Sequence, residues 1–448
     1  MKTTIKPRRW EDISPIEQKK ILYRSGQDIE DVTPRVRPII DAVAEEGDTA
    51  LVRFTRQFDN TDISSLPLAV TKEEFDSAER TLDTKVREAI RFAVENVQKF
   101  HFMQKREENT LTEISPGVFA GEKVSPVESA GLYVPRGRGS FPSMLYMLAV
   151  PAVIAGVEDI AVATPPNPDG SVDAGCLYAA RLCGVDTVYR VGGAQAVAAL
   201  AYGTESIGKK VKITGPGSMY VAAAKRLVSH LVDTGLPAGP SESVVIAGAA
   251  ADPRKVALDL LIEAEHGSDS QALLLTPSGD LAAAAAKFAE EIIEALPEPR
   301  RGFITDVFAG YGGIILTESL EAAAALSNRI APEHLQIQTD DPFELLSLIT
   351  NAGEILLGDN TPFSAANYVI GANAVLPTGG GAKTYSAVSV RDFVKYSSVV
   401  YSTRRGYEGC APHVAVLAEY EGFVTHGNAV TQRPSASIDS PAASGGKK

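Results

Sequence analysis

Cysteine is nearly absent from this sequence: Cys176, Cys183 and Cys410 are the three in 448 residues. An odd count with no CxxC pair excludes a disulfide framework and a thiolate zinc cage, and it suits a reducing compartment. Positive charge is also in short supply. Lys and Arg number 43 against 56 Asp and Glu, a formal net charge of −13, which argues against nucleic acid or an anionic membrane as partner. Long apolar runs are missing too, because the Ala-rich stretch 146–157 is short and interrupted by Pro151, so no segment reads as a membrane span. The opening MKTTIKPRRWEDISP has no apolar segment behind its basic residues, unlike a secretory signal, and its acidic residues do not suit a transit peptide. The expected location is the cytoplasm.

What is present is an ordinary globular composition, 44% hydrophobic and 22% charged, on a chain too long for one core. Residues 32–58 and 73–99 carry apolar positions at three- and four-residue spacing and read as helices. From Gly131 short β-rich runs alternate with glycine or proline turns and Ala-rich helices: 159–164 before PPNPDG, 187–191 before GGAQAVAALAYG, 210–214 before GPGSMYVAAAKRLV. Further strands are expected at 243–247, 272–276, 313–317 and 354–357, with a helix over 280–296. Strand, turn and helix in repetition predict α/β architecture with parallel sheets. The expected fold is two Rossmann-like domains, one inserted in the other. An N-terminal helical segment covers 1–26, the larger domain 27–132 plus 242–389, the inserted nucleotide-binding domain 133–241, a helical C-terminal arm 390–435, and a disordered tail 436–448.

Two glycine turns, 192–195 (GGAQ) and 215–218 (GPGS), follow strands and enter helices. Such turns offer backbone N–H groups and a helix dipole to a phosphate. Neither is a full GxGxxG, and tight turns alone would explain either one; two in successive βα units favour a nucleotide. At 331–335 (APEHL) Pro332 suits the first turn of a helix, which would put Glu333 and His334 at the positive end of its dipole. A carboxylate beside an imidazole can supply two bases to one substrate, although a dipole-complementing Glu and an incidental His would read the same. Glu263 and His266 lie three apart on an expected helix end, a spacing that serves two metal ligands or an ordinary surface pair. Of six histidines, His266, His334 and His426 sit near acids in Gly- or Pro-marked segments, whereas His101, His230 and His413 read as structural.

Taken in order, GLYVP (131–135), GGAQAVAALAYGT (192–204), MYVAAAKRLV (219–228), AGPSE (238–242), AEHGSDSQ (264–271), RIAPEHLQI (329–337), VLPT (375–378) and EGFVTHGNAV (421–430) resemble the histidinol dehydrogenase family over nearly the whole chain. The resemblance implies oxidation of an amino alcohol to the acid in two NAD-dependent steps through a bound aldehyde. His334 would take the alcohol proton, and Glu333 would activate the water that hydrates the aldehyde. Zinc would be held at Glu263, His266, Asn367 and His426, NAD by Tyr133, Gln195 and Ser218, and substrate by Ser241, His334 and Glu421. The family forms a homodimer with swapped C-terminal arms, so His426 would reach the partner's site.

Four positions depart from the family pattern. Glu263 stands where a zinc-ligand Gln is usual, Asn367 where Asp is usual, Ala374 for a His before VLPT, and Ser218 for an NAD-contacting Asn. The first two exchange a carboxylate between ligand positions and keep one negative charge, so a zinc site with oxygen and nitrogen donors remains expected. The loss at Ala374 and the added Arg136 and Arg138, which face solvent or meet an anionic group on substrate or cofactor, point to a small polar alcohol other than histidinol. Histidinol itself, and a non-catalytic homologue, are the alternatives.

Overall fold

The computed structural model describes residues 4–22, 26–105, 110–136 and 139–433. Arg138 and the expected disordered tail lie outside the described residues. The described chain falls into two units: Met1–Lys105 with Pro126–Val394, and Arg106–Ser125 with Lys395–Lys448.

The first unit contains two parallel sheets. The smaller has four strands in the order Val188–Tyr189, Asp159–Ala163, Ser129–Tyr133, Lys212–Thr214. Counted along the chain this is 3-2-1-4, and the order reverses between Ser129–Tyr133 and Lys212–Thr214, the place where such sheets open a ligand crevice. The larger has six strands in the order Arg8–Arg9, Gly313–Leu316, Gln271–Thr276, Glu242–Ala247, His334–Gln338, Glu354–Leu357, all parallel. Glu242–Ala247, Gln271–Thr276 and His334–Gln338 are buried at every position, because helices cover both faces and leave no polar side to alternate with.

Each sheet face has its own apolar core. Ala130, Leu132, Val162 and Val188 pack under helices Lys72–Thr81, Thr84–Phe102, Pro142–Ala155 and Ala174–Cys183. On the other face Ala161, Ala163 and Ile213 meet Gly26–Glu46, Asp48–Phe58, Gly193–Tyr202 and Met219–Val228. The larger sheet is covered likewise by Pro253–Ile262, Gly279–Ala295 and Arg300–Gly310 on one face and Leu320–Ile330 on the other. The expected N-terminal helices are therefore present, but those of 27–102 pack on the four-stranded sheet, although the sequence groups them with the larger domain. Their apolar stripes match the exposed faces of its inner helices, a tertiary preference that periodicity does not report.

The second unit consists of a hairpin, Thr110–Ser115 and Val118–Pro126, whose second strand also pairs with Val394–Ser402. Two helices follow, Arg404–Tyr420 and Val424–Thr431. The arm expected to be helical from 390 thus begins with a single 3-10 turn at Val390–Phe393 and a nine-residue strand. Its sequence VKYSSVVYS is rich in β-branched and aromatic residues, and that preference prevailed over a helix. Among the described residues no helix is long and apolar enough to cross a membrane.

Candidate active site

Leu320–Ile330 ends at Ala331, whose left-handed backbone (φ 55°) carries an N–H that donates to the Ser327 carbonyl. Pro332 follows the helix end and blocks its continuation, and His334 opens the next strand. APEHL is therefore a helix-to-strand corner and not the helix start expected from its proline. One proline after a helix and one beginning a helix look identical in sequence, and the apolar stripe of 320–330 decides between them. Glu333 and His334 are buried at the amino end of the six-stranded sheet beside Glu242, the first residue of the neighbouring strand.

There they face a cavity of about 440 Å³. Its other wall is the carboxyl side of the four-stranded sheet, with Pro135 and Arg136 after one strand and Pro216, Gly217 and Ser218 after the next. Those are the two loops on either side of the topological reversal. Ser241, Glu263, His266, Asn367 and Ala374 complete the polar end.

The side chains are tightly connected. His334 Nδ1 lies 2.6 Å from Glu354 Oε1, and since a carboxylate only accepts, Nδ1 carries the proton. Its Nε2 faces Glu333 Oε1 at 3.8 Å and Glu263 Oε2 at 3.9 Å. Burial opposes the imidazolium, yet the carboxylates of Glu263, Glu333 and Glu354 together hold the His334 pKa up at about 10. Glu333 Oε2 accepts from the Glu242 backbone N–H at 2.9 Å. Burial raises the Glu333 pKa to about 8 against the pull of His334, with the Glu263 charge adding to the rise. For Glu263, burial favours the neutral form, but His334, His266, the Asn367 amide and Ser241 outweigh it and keep the carboxyl below its ordinary range.

Asn367 Nδ2 donates to Glu263 Oε1 at 2.7 Å, while the other oxygen, Oε2, is buried without a hydrogen bond and lies 3.2 Å from His266 Nδ1. Ser241 Oγ is 2.9 Å from the same His266 nitrogen. An orphaned carboxylate oxygen, an imidazole and an amide oxygen are the kinds of donor zinc takes. Among the described residues no group of three or more His, Cys, Asp and Glu is arranged to hold a metal, so this unit fits a metal in donor type and falls short in donor number. Glu421 and His426 lie in the second unit, the first in the turn between its helices and the second in the helix that follows, and both are exposed.

The wall formed by the four-stranded sheet also carries unused polar groups. The Tyr133 hydroxyl accepts from Gly193 N at 3.1 Å. Gln195 is 1% exposed, and neither atom of its amide has a hydrogen-bond partner. Ser218 sits at the N-cap of Met219–Val228 without a side-chain cap. Gly215 (φ 129°) is required by close approach, because a Cβ there would lie 2.1 Å from the Tyr133 carbonyl oxygen. The GPGS turn is thus a cradle in which only glycine lets the two loops meet.

Arg136 does not simply face solvent: it is half-buried and donates from Nη1 to the Pro166 carbonyl at 3.1 Å. His101 is structural as expected, buried between Gln104 and Asn373, and His230 and His413 are exposed. The site residue that sequence reasoning misses is Glu354. It opens an expected strand, but only the parallel register, His334 opposite Glu354, puts it behind the imidazole.

The family model for histidinol dehydrogenase matches residues 22–434. The chain belongs to the histidinol dehydrogenase family. The histidinol dehydrogenase of Synechocystis sp. (strain ATCC 27184 / PCC 6803 / Kazusa) is 50% identical over 421 residues, which is 94% of this chain and 97% of that protein. A protein called histidinol dehydrogenase homolog from Rhizobium meliloti (strain 1021) is also 50% identical, over 93% of this chain and 91% of its own. The crystal structure of histidinol dehydrogenase from Elizabethkingia anophelis superposes with a TM-score of 0.89 at 34% identity, covering 96% of this chain and 97% of that one. The fold and the oxidoreductase family are those the motifs imply.

Proposed function

We propose that this family member oxidises histidinol to the acid through a bound aldehyde, passing two hydrides to NAD. The observation that carries the reading is the buried Glu333–His334 pair, with Glu354 behind the imidazole, opening into the same cavity as the GPGS cradle. In the first step the alcohol O–H proton passes to His334 Nε2 as the carbinol hydride leaves for the nicotinamide. In the second, Glu333 takes a proton from water as its oxygen adds to the aldehyde carbon, and the hydrate gives up the second hydride. A carboxyl held at about 8 is matched to such work near neutral pH. The dinucleotide would lie along Tyr133, Gln195 and Ser218 in the domain 133–241.

Glu263, His266 and Asn367 are the residues of this unit that would hold zinc, with His426 as the fourth donor, supplied from the arm of a second subunit. When bound, the ion would neutralise the Glu263 charge that keeps His334 protonated and would orient the alcohol oxygen. The second unit supports dimerisation, because Val400, Val416, Tyr420, Phe423 and Val424 are large, apolar and exposed, more than a lone arm would leave to water.

From the departures at 263, 367 and 374 alone, another small polar alcohol ranks first. With half of its residues shared with a named histidinol dehydrogenase, histidinol does. The other alcohol stays as a second reading because Ala374 is a buried wall of the cavity, offering a methyl where the family has an imidazole. Purified, zinc-loaded protein with NAD and a panel of alcohols decides between them: two NADH per histidinol supports the first, and NADH from another alcohol with none from histidinol supports the second. No NADH with any alcohol would remove both.

A further inference from the structure

Sheets of this kind ordinarily hold the adenosine ribose with an acidic residue at the carboxyl end of the second strand. Here that strand, Asp159–Ala163, runs into Thr164, Pro165 and Pro166, and no acid stands at its end. The nearest acid in that loop, Asp169, is exposed and already bonded to the Ser171 N–H and hydroxyl.

Another carboxylate is delivered from outside the sheet. Asp59 ends the helix Asp48–Phe58, with its N–H on the Thr55 carbonyl. The Thr61 hydroxyl donates both to the Asp59 carbonyl (3.0 Å) and to the Asn167 carbonyl (3.3 Å), fastening this corner to the loop after the second strand. Asp59 Oδ2 is buried without a partner, and so are Arg136 Nε and both amide atoms of Gln195. These groups come from three separate segments: Asp59 lies within electrostatic reach of Arg136 and of Tyr133, whose hydroxyl accepts from Gly193 N in the GGAQ turn, and Gln195 folds over that turn so closely that a Cβ on Gly193 would lie 2.6 Å from its Oε1. A buried polar atom left unpaired is destabilising, so their concentration marks a surface shaped for hydrogen bonds from a ligand.

We propose that Asp59 is the ribose-recognition residue of the dinucleotide site, accepting from the 2′-hydroxyl of the adenosine ribose and excluding a 2′-phosphate, with Arg136 beside it on the pyrophosphate side. Arg136 lines the cavity that His334 also lines, and Asp59 is within reach of the Arg136 charge but outside that lining. Burial raises the Asp59 pKa to about 6 in spite of Arg136, so at neutral pH the site carries a desolvated negative charge that repels a phosphate. The inference rests on the reading that the protein binds a nicotinamide dinucleotide.

The test is calorimetric titration of the zinc-loaded full-length protein with NAD, NADP and 2′-deoxy-NAD. Wild type is expected to lose on the order of tenfold or more in affinity for the 2′-deoxy analogue, the loss that follows removal of a hydrogen bond to a charged group. It should bind NADP more weakly still. Asp59→Asn should weaken NAD by a similar factor, bind the 2′-deoxy analogue no worse than NAD, and narrow the gap to NADP. Equal wild-type binding of NAD and 2′-deoxy-NAD overturns the assignment, and it needs no variant to fold. So does an Asp59→Asn protein that keeps both the NAD affinity and the preference over NADP. Wild type that binds neither dinucleotide removes the cofactor reading itself, an outcome separate from either of these.

Discussion

Glu354 offers a sharp test of the proposal that His334 acts as the base. The two side chains are buried, 3% and 7% exposed, and joined at 2.6 Å. The Glu354 carboxylate accepts from Nδ1 and so turns Nε2 toward the cavity, where it could take a proton from the alcohol once the Glu263 charge is neutralised. Removing it deletes a charge-assisted bond worth about 1.5–3 kcal/mol. Expressed wholly in the transition state, that is about ten- to 150-fold in kcat. Glu354→Gln is expected to lose at least as much as Glu354→Ala, because a carboxamide can turn its NH2 toward Nδ1 and favour the wrong tautomer. Steady-state NADH formation at wild-type zinc content, with circular dichroism to verify folding, measures the effect. The expected signature is a fall in kcat with the KM for alcohol changed less than about twofold, since Glu354 is not among the cavity's lining residues. Wild-type kcat in both variants, or a change confined to KM, would refute a positioning role and leave Glu354 as packing.

His334→Asn is expected to abolish alcohol oxidation, while Glu333→Gln should spare aldehyde formation more than acid formation; single-turnover product analysis checks it, and intact acid formation by Glu333→Gln would end the assignment. Ala331→Gly should leave stability within about 1 kcal/mol of wild type, since relief of the left-handed strain at φ 55° is offset by glycine's extra backbone freedom and the loss of a fully buried methyl; denaturant midpoints at unchanged slope report it. Lys225 is buried behind the GPGS turn, donating to the Gly215 carbonyl at 3.2 Å, and burial and the Lys212 charge lower its pKa from 10.5 to about 8. Between those values the unfolded chain holds the proton that the folded one has lost, so stability rises with pH across the window and not below it. The gain should reach at most about 3 kcal/mol, be read as the difference from Lys225→Met, and be absent if the lysine stays charged.

Much of the fold is legible in the amino-acid sequence. The βα alternation marks seven of the parallel strands to within about two residues, because buried parallel strands read as apolar runs, but it does not reveal Arg8–Arg9, Ser129–Tyr133 or His334–Gln338. The eight ordered motifs carry the family. What stays hidden depends on distance in sequence. The APEHL corner reads as a helix start because proline punctuates both ends of helices. The hairpin Thr110–Ser115 with Val118–Pro126 has a polar, exposed first strand, with no alternation to reveal it. Glu354 and Asp59 carry no local signal at all. One acts through strand register and the other through a helix end tied to a distant loop.

The exchange at positions 263 and 367 finds its physical basis in the contact between the two side chains. In this chain the Asn367 amide donates to the Glu263 carboxylate at 2.7 Å. The pair that the family resemblance implies, Gln at the first position and Asp at the second, would make the same bond with donor and acceptor reversed. Either arrangement has one charge and one satisfied hydrogen bond, and neither half of the exchange is tolerable alone. Asn367→Asp would set two carboxylates at hydrogen-bonding distance in a site where Glu263 is fully buried, forcing one to take up a proton. Glu263→Gln would leave two amides and remove the charge that offsets a dication. Each single variant should therefore lose zinc affinity and activity, and Glu263→Gln with Asn367→Asp together should recover most of both. Residues in direct contact commonly couple by about 0.5–3 kcal/mol, so recovery of up to roughly a hundredfold over the sum of the single losses is expected, read by zinc competition titration as well as by turnover. Additive losses would mean that the two positions changed independently. If the double variant instead gains activity on histidinol beyond wild type, the place of the carboxylate, and not only its charge, sets which alcohol the site accepts.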